Sequence, residues 1–503
     1  MSKFKKLIVG VMAVLLAALV VAPNVALAED ATYTITMDTT AGHTYEAYQV
    51  FTGDLSDDGK LSNIVWGTGV NGGALLTALK GDDTYGTAFA KCETAADVAK
   101  VLGTYANKGE DIKALAKIIA ANKTTVAGSG TTSISGLAAG YYLVLDSTAT
   151  IPDGQTRSDF MLEVVKNVHV TAKDSTVTSE KKVDDKNDSN NDENATTWQD
   201  SADYDIGDDV PFQLKATVAE NYADYTKYEL TFHDVQSAGL TFNADSVKAY
   251  VDGKEVSGFT VNTSPTDNCT FEIVFADLKQ IKAVTGDSIT VTAGSVVTVE
   301  YTSKLNENAA IGEAGNPNTS HITYSNNPNS TTETGKTPDD KVIVFTYKLV
   351  ANKVNENKEP LTGAGFTLYK KNAAGEYVAV GKEIKGEQMT TFEWKGLDDG
   401  DYKLVETTTP SGYNTMQDQE FSITATHDIE SADPKLKTLE STLKDFTATL
   451  NTGTIEGEIV NQSGSTLPST GGMGTTLLYT IGGVLVAVSA VGLIARRKMS
   501  AEQ

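Results

Sequence analysis

Short stretches in which apolar and polar residues alternate recur through most of the chain. They are rich in Thr, Val, Tyr and Ile and are separated by Gly, Asn and Asp, a pattern typical of half-buried strands joined by turns. Clear examples are Thr32–Met37, Tyr141–Leu145, Ser288–Tyr301 and Val342–Val350. Because the turn signals recur at short intervals, the pattern predicts an all-β chain of β-sandwiches rather than a barrel or an α/β sheet.

Helical periodicity is confined to the first third of the chain, over Ala88–Tyr105 and Ile112–Asn122. We therefore expect minor helical insertions in the first domain. The stretch Asp184–Thr197 is rich in Asn and Asp and predicts a loop.

One sequence pattern occurs twice: G-L-x-x-G-x-Y, then alternating apolar residues, then a carboxylate. The first copy runs from Gly136 to Asp146 and the second from Gly396 to Glu406. An internal repeat indicates related structural units, so the first and third domains are predicted relatives that flank a larger, different sandwich. We expect the three domains at residues 29–175, 176–345 and 346–466.

The first 28 residues have the pattern of a secretory signal peptide. Three lysines precede the apolar run of residues 7–21, and Ala26-Leu27-Ala28 offers a small-x-small cleavage pattern. Cleavage is predicted between Ala28 and Glu29. An N-terminal membrane anchor is the alternative, which the shortness of the apolar run disfavours.

The last 37 residues, 467–503, combine three features. The pentapeptide Leu467-Pro468-Ser469-Thr470-Gly471 precedes an uncharged stretch, residues 477–495, and then the basic cluster Arg496-Arg497-Lys498. Nineteen helical residues extend about 29 Å, close to the ~30 Å core of a bilayer, and the basic cluster belongs inside. This arrangement resembles the cell-wall sorting signal of Gram-positive surface proteins. The resemblance implies that a sortase cleaves the Thr470–Gly471 bond; a simple tail anchor is the alternative.

Charge and composition exclude several classes of function. The 503 residues carry a formal net charge of −25, which repels nucleic acid. The two cysteines, Cys92 and Cys269, and the five histidines show no metal-ligand spacing, and no phosphate-binding or hydrolase motif is present. The sequence predicts no metal, no cofactor and no nucleic-acid partner.

The third domain carries three linked motifs. Its first strand, 349–354, contains Lys353; the repeat motif contains Glu406; and its last strand, 457–461, ends in Asn461. Together they resemble the immunoglobulin-like, collagen-adhesin B-type domain of sortase-assembled pilins. The resemblance implies an isopeptide bond between Lys353 and Asn461, catalysed by Glu406.

The chemistry of such a bond is consistent with these residue types. A lysine amine attacks only when neutral, and burial lowers its pKa, whereas burial keeps a carboxyl group protonated. A protonated carboxyl group can polarise the asparagine carbonyl and shuttle protons as ammonia leaves. The alternative is that Lys353 is a surface lysine and Glu406 an ordinary exposed acid.

The second domain resembles the D2-type isopeptide-forming domain of the same pilins. The resemblance covers 180–183, 206–208, 228–240 and 316–328. It implies Asp234 as the acid, Lys181 as the nucleophile and Asn326 as its partner. Because residues are doubled at both ends, Lys182 and Asn327 remain the alternatives.

The first domain departs from this pattern. It offers Asp146 where the third domain has Glu406, but no lysine lies between Glu29 and Asp58. Without a nucleophile on the first strand, no bond of this type is expected. Asp146 is predicted to be a solvated or hydrogen-bonded carboxylate.

The end of the first domain, Val168–Lys173, resembles the strand that carries the polymerisation lysine of backbone pilins. Lys173 occupies the nucleophile position, but Thr171-Ala172 replaces the usual Tyr-Pro, so Lys166 remains an alternative. An ordinary linker lysine is the other interpretation.

These resemblances imply a structural protein rather than an enzyme: the major subunit of a covalent Gram-positive pilus, or fimbria, that supports adhesion. Sortase would join Thr470 of each subunit to Lys173 of the next and the basal subunit to peptidoglycan. The expected partners are sortase, copies of the chain, peptidoglycan, accessory pilins and host surface ligands, at a secreted, cell-wall-anchored location. The alternatives are a monomeric wall-anchored adhesin and, less favoured because no carboxylate pair stands out, a surface glycosidase.

Overall fold

The structure is a computed structural model that describes residues 31–105, 109–172, 175–186, 197–464 and 474–499, with the side chains of 110, 474–478, 495, 498 and 499 left out. Almost all of its regular structure is β-strand, arranged in six sheets within the described residues. The all-β class is therefore confirmed.

The first two sheets lie in the N-terminal part of the chain, in the strand orders β5-β1-β8 and β3-β2-β6-β7, with β4 beside β2. The strands and helices of this domain are β1 (Tyr33–Asp38), β2 (Tyr45–Leu55), β3 (Leu61–Trp66), α1 (Gly72–Gly81), α2 (Gly86–Phe89), α3 (Ala95–Gly103), α4 (Gly109–Ala121), β4 (Gly128–Gly130), β5 (Ser133–Leu137), β6 (Gly140–Asp146), β7 (Phe160–Val164) and β8 (Val168–Thr171).

All four of these helices lie between β3 and β4, which confirms helical insertions in the first domain. The expected helix over Ala88–Tyr105 was too long, because Thr94 caps a separate helix in a capping box with Asp97. The expectation of a helix near Ile112–Asn122 is confirmed by α4. The helix α1, whose N-cap is Asn71, was not expected from the sequence.

Two seven-stranded sheets form the middle domain, in the orders β10-β9-β12-β19-β14-β15-β18 and β11-β22-β20-β13-β17-β16, with β21 beside β20. Its strands are β9 (Ser179–Asp184), β10 (Trp198–Gln199), β11 (Ser201–Asp203), β12 (Asp209–Thr217), β13 (Leu230–Gln236), β14 (Leu240–Val251), β15 (Lys254–Ser257), β16 (Thr260–Asn262), β17 (Phe271–Phe275), β18 (Lys282–Ala283), β19 (Val296–Leu305), β20 (Asn316–Ser325), β21 (Thr334–Lys336) and β22 (Asp340–Phe345). Their inward-facing apolar side chains form one core between the sheets.

The third domain pairs a sheet of order β27-β23-β32-β31 with one of order β25-β24-β28-β29-β30, and β26 lies beside β24. Its strands are β23 (Tyr347–Asn355), β24 (Gly365–Lys371), β25 (Tyr377–Ala379), β26 (Ile384–Lys385), β27 (Thr391–Leu397), β28 (Gly400–Thr408), β29 (Gln419–His427), β30 (Leu436–Ser441), β31 (Phe446–Thr449) and β32 (Thr454–Asn461). First and last strands, β23 and β32, are parallel neighbours.

Two strand predictions need correction. The strand expected over Ser288–Tyr301 begins only at Val296, after a turn in which Gly294 has a φ of +74°. The run Val342–Val350 is two strands of two different domains, β22 and β23, separated at Thr346. Alternation alone could not detect this break, because the apolar pattern continues across it.

The sequence repeat corresponds to a shared local structure. Gly136 and Gly396 both adopt a positive φ, +77° and +73°, at the bend before the second strand of the motif. Tyr142 and Tyr402 are both buried, and each hydroxyl donates to the carbonyl four residues earlier, at 2.8 Å in both cases. The repeat therefore forms the same bend between two strands, closed by the same tyrosine hydrogen bond, in the first and third domains.

The C-terminal region contains α5 (Gly474–Met499), which includes the predicted span 477–495. The structure does not describe several side chains of this helix, so the membrane span over residues 477–495 remains a prediction. Among the residues that the structure describes, no helix combines the length and apolar character needed to cross a membrane.

Candidate functional sites

Three side chains converge inside the third domain from both of its sheets. Lys353 lies on β23 and Asn461 on the neighbouring β32, whereas Glu406 reaches them from β28 in the opposite sheet. Their exposed fractions are 1%, 1% and 4%. The structure thus brings together the three residues that the sequence motifs singled out, and it excludes the alternative of an exposed lysine and acid.

The hydrogen bonds of this group position it for chemistry. Asn461 Nδ2 donates to Glu406 Oε1 at 2.7 Å, and the other carboxylate oxygen accepts from the backbone N–H of Met416 at 2.8 Å. The Lys353 ammonium nitrogen lies 3.1 Å from the carbonyl oxygen of Ile459, two residues before Asn461 on the same strand. Asn461 Oδ1 is buried without a hydrogen-bond partner among the described residues.

The electrostatics of this site favour a neutral amine. Burial lowers the pKa of Lys353 to about 8, although the charge of Glu406 acts in the opposite direction. An amine with this pKa is unprotonated in an appreciable fraction of molecules near neutral pH. It can therefore act as a nucleophile where an exposed lysine could not.

The second domain contains a comparable group. Lys181 on β9 and Asp234 on β13 are fully buried, and Lys181 Nζ lies 2.5 Å from Asp234 Oδ2. The hydroxyl of Tyr301 on β19 lies 2.9 Å from the same amine and donates to the same carboxylate oxygen at 2.8 Å. Lys181, Asp234 and Tyr301 therefore form a closed triangle of polar atoms in an apolar core.

Burial dominates the titration of this triangle. It lowers the pKa of Lys181 and raises the pKa of Asp234, although the attraction between the two groups opposes both shifts. Burial also raises the pKa of Tyr301, and the Asp234 charge adds to that effect. These directions favour an uncharged lysine beside a protonated acid in the second domain.

The asparagine that reaches this triangle is Asn318, not the expected Asn326. Asn318 Nδ2 donates to the Tyr301 hydroxyl at 2.9 Å, and its side-chain oxygen is buried without a partner among the described residues. In the register of β13 and β20, Asp234 is opposite Ser320, so Asn318 is its diagonal neighbour on the same face. Asn326 lies six residues beyond Ser320, roughly 20 Å along an extended chain.

The expected partner of Lys181, Asn326, is therefore replaced by Asn318. The alternatives Lys182 and Asn327 also lie outside this group. Lys182 Nζ contacts Asp200 at 2.6 Å on the outside of the sheet, and Asn327 donates to Glu333 at 2.9 Å. The sequence phase that led to Asn326 applies equally to Asn318, since alternate residues of one strand share a face. Neither Asn318 nor Tyr301 carried a sequence signal that would have distinguished it.

In the first domain, Asp146 faces a histidine. His43 Nδ1 lies 2.6 Å from Asp146 Oδ2, and both side chains are fully buried. The Thr148 hydroxyl donates to the other oxygen at 2.6 Å. Burial acts to raise the pKa of Asp146, but the hydrogen bonds from His43 and Thr148 outweigh it, so the pKa is lowered. Of the two expectations for this carboxylate, the hydrogen-bonded one holds and the solvated one was wrong.

Several predicted residues lie outside the described part of the chain. They are the signal cleavage pair Ala28 and Glu29, the lysine Lys173, and the sorting pentapeptide Leu467, Pro468, Ser469, Thr470 and Gly471. The alternative nucleophile Lys166 is described, and it lies exposed in the bend between β7 and β8.

Two family models match the C-terminal half. Residues 347–435 match the SpaA family, a prealbumin-like fold domain, and residues 459–500 match the LPXTG cell wall anchor motif. The solved T6 backbone pilin of serotype M6 Streptococcus pyogenes, a modular three-domain structure, aligns with 88% of this chain and 100% of its own, with a TM-score of 0.52 and 18% identity. The chain has the fold and the wall anchor of a Gram-positive backbone pilin. The anchor motif confirms the cell-wall location predicted from the sequence, and the likeness to the T6 pilin is one of fold.

Two further relatives are also pilus or surface proteins. The trypsin-resistant surface T6 protein of Streptococcus pyogenes is 30% identical over 210 residues. That match covers 38% of this pilin-like chain and only 37% of the relative. The full-length major pilin SpaD of Corynebacterium diphtheriae aligns with 88% of this chain and 99% of its own, at 18% identity and a TM-score of 0.49.

Proposed function

We propose that this chain is the major structural subunit of a covalently polymerised pilus. The observation that carries the proposal is the combination of an LPXTG anchor motif with a tandem sandwich fold of backbone-pilin type in one chain. The protein is a structural element and not an enzyme. Its partners are a sortase, further copies of itself and peptidoglycan; accessory pilins and host surface ligands would join the finished fibre.

Polymerisation proceeds by two acyl transfers. The sortase cysteine attacks the carbonyl of Thr470, the bond to Gly471 breaks, and the threonine is held as a thioester. The neutral amine of Lys173 on the next subunit then attacks this thioester, which forms an amide and releases the thiol. For the basal subunit, an amine of the peptidoglycan takes the place of Lys173.

Within each subunit, the buried groups form amide bonds without a partner enzyme. In the third domain, neutral Lys353 Nζ attacks the side-chain carbonyl carbon of Asn461. Glu406, which accepts a hydrogen bond from Asn461 Nδ2, takes a proton from the attacking amine and passes a proton to Nδ2. The bond between Nδ2 and the carbonyl carbon then breaks, ammonia leaves, and the new amide bond to Lys353 remains. Lys181, Asp234 and Asn318 support the same reaction in the second domain, where Tyr301 would orient the acid and the amide.

The two bonds would differ in what they connect. Lys353 and Asn461 lie on neighbouring strands of one sheet, so their bond ties the first strand of the domain to the last. Lys181 and Asn318 lie on opposite sheets, so their bond crosses the core of the sandwich. The first domain, in which a histidine and not a lysine faces Asp146, forms no such bond.

The experiment that tests the proposed function is an immunoblot of boiled cell-wall extract with an antibody against the subunit. Polymerisation predicts a ladder of high-mass species, which Lys173→Ala abolishes while monomer still reaches the wall. Lys166→Ala is the matched control and keeps the ladder. A single monomer band from wild-type cells would instead indicate a monomeric wall-anchored adhesin, and loss of the ladder only in Lys166→Ala would make Lys166 the nucleophile.

A further inference from the structure

Four side chains with nitrogen, oxygen and sulfur donors meet on the outer face of the second domain. His233 lies on β13, Asp267 and Cys269 lie in the loop between β16 and β17, and Glu272 lies on β17. His233 directly precedes the buried Asp234, so the two side chains leave β13 on opposite sides of the sheet. The group is therefore separate from the residues that form the proposed internal bond.

One donor atom of each residue lies close to the others. His233 Nδ1 lies 2.7 Å from Asp267 Oδ2 and 3.3 Å from Glu272 Oε1. The Cys269 thiol donates to the same Asp267 oxygen, with Sγ at 3.3 Å. Neighbouring donors of a tetrahedral zinc ion with bonds of about 2.0–2.3 Å are about 3.3–3.7 Å apart. Two of the three distances match this spacing, and the shortest is a hydrogen bond that an ion would replace.

A second, independent observation is that residues outside the group hold two of its members from behind. The Thr323 hydroxyl on β20 lies 2.9 Å from His233 Nε2, which leaves Nδ1 facing the acids. Asn262 Nδ2 donates to Glu272 Oε2 at 2.7 Å, which leaves Oε1 facing the histidine. The ring of His321 stacks on that of His233, with 4.9 Å between centroids. Outer hydrogen bonds of this kind orient histidine and carboxylate ligands in metal sites.

The charges around the group also suit a cation. Among the described residues, no lysine or arginine forms an ion pair with Asp267 or Glu272, and both acids share His233 as their partner. The side chains of Asp267 and Glu272 are 39% and 16% exposed, so an ion can reach the group from solvent.

We propose that His233, Asp267, Cys269 and Glu272 bind a divalent cation of the Zn²⁺ class. An imidazole and a thiolate favour zinc over Ca²⁺ and Mg²⁺, which prefer oxygen ligands alone. On binding, the thiol of Cys269 releases its proton to solvent. The imidazole binds through Nδ1 and keeps its proton on Nε2, from which it donates to the Thr323 hydroxyl.

The ion would stabilise one edge of the second domain. The strand β16 is the last of its sheet and pairs only with β17. A zinc ion would tie the loop of residues 263–270, which joins these two strands, to β13. The sequence predicted no metal, because His233 lies 34 residues before Asp267 and the spacing of the other three ligands matches no zinc motif.

Equilibrium dialysis of the reduced, chelator-treated full chain against micromolar ZnCl₂ tests the site. Wild type should bind one Zn²⁺, and Cys269→Ala should bind it roughly tenfold more weakly or worse, since even an outer-shell partner is worth about 10–100-fold. Asp339→Asn is the matched control: it removes an acid that contacts His321, outside the donor set, and should bind as wild type does. Equal affinity of wild type and Cys269→Ala, or no zinc uptake by wild type, would overturn the proposal.

The absorption spectrum of the chain loaded with Co²⁺ in place of zinc identifies the ligands. Wild type should show the visible bands of tetrahedral cobalt and a near-ultraviolet charge-transfer band from a thiolate. Cys92→Ala should keep both features, because Cys92 is buried in the first domain, whereas Cys269→Ala should lose the charge-transfer band. If Cys269→Ala does not fold, Asp267→Asn, a change at an exposed residue, should lower the affinity instead. A wild-type spectrum without the thiolate band would contradict the proposed ligand set.

Discussion

At the scale of single residues, each internal bond is defined by the asparagine that faces the buried lysine. The third-domain residues were all recognisable from sequence, because each lies in a motif of its own. In the second domain, strand phase allowed Asn318 and Asn326 equally, and only the register of β13 with β20 separates them. The hydroxyl of Tyr301, which contacts both Lys181 and Asp234, lies on a strand distant in sequence, so only the fold reveals it.

The intact mass of the chain tests this assignment. With two internal bonds the wild type should be lighter than its sequence by roughly 34 Da, the mass of two ammonia molecules, since each bond releases one. Asn318→Ala should lose only one ammonia, whereas Asn326→Ala, the matched control, should still lose both. The reverse pattern would restore Asn326, and a deficit of zero or of three ammonias would contradict the set of sites.

The pKa of Lys353 gives a second prediction at this scale. In Asn461→Ala the amine stays unlinked, and burial holds its pKa at about 8 in the folded chain, below the ordinary value of about 10.4. Between these values the unfolded state binds more protons, so the free energy of unfolding should rise with pH from about 8 to about 10.

Urea unfolding of Asn461→Ala across this pH range measures the effect. The control is the double variant Asn461→Ala/Lys353→Met, which also lacks the bond between these two positions but has no amine there to titrate. The single variant should show the steeper rise. If the free energy of unfolding rises equally with pH in the two variants, the fold does not lower the pKa of Lys353.

At the scale of elements, the sequence was most informative where strands alternate clearly and where caps are simple. It predicted β1, β6 and α4 close to their observed bounds. The pattern was misleading where the chain turns or changes sheet within a continuous alternation. At Gly294 a turn precedes β19, which begins later than expected, and at Thr346 one apolar run is divided between β22 and β23. Register and inter-strand partners come from packing, which local pattern does not encode.

The parallel pair β23 and β32 gives the clearest prediction about an element. A bond between Lys353 and Asn461 closes a loop of roughly 110 residues, which by the loop-entropy model for disulfides constrains the unfolded chain by about 4–5 kcal/mol. A domain is typically stable by only ~5–15 kcal/mol. Asn461→Ala should therefore lower the melting temperature of the third domain and expose it to trypsin.

Asn355→Ala is the control for this comparison. Asn355 is opposite Asn461 in the strand register, but its side chain bonds Glu359 and the backbone N–H of Asn357 in an exposed turn, away from Lys353. It should leave the melting temperature near that of wild type. Equal melting temperatures and equal protease resistance in Asn461→Ala and wild type would show that the bond is absent or does not stabilise the domain.

At the scale of the whole molecule, the positions of the bonds suit a fibre under tension. Force transmitted between Lys173 and Thr470 would enter the third domain at β23 and leave after β32. A bond from Lys353 to Asn461 carries that load covalently, and the strands between them, β24 to β31, stay outside the load path. Because the linkage is an amide, a reductant cannot open it. The strands of the first domain all precede Lys173 in the chain, so that domain lies outside this load path and needs no such bond.

The most direct test of the central claim is tandem mass spectrometry of a protease digest of purified surface fibres. The account predicts a branched peptide in which the carbonyl of Thr470 is joined by an amide bond to the side-chain nitrogen of Lys173. The same peptide should be missing from a strain that carries Lys173→Ala. If Thr470 is found joined only to peptidoglycan, and never to a lysine of another copy of the chain, the protein is not a pilus shaft subunit.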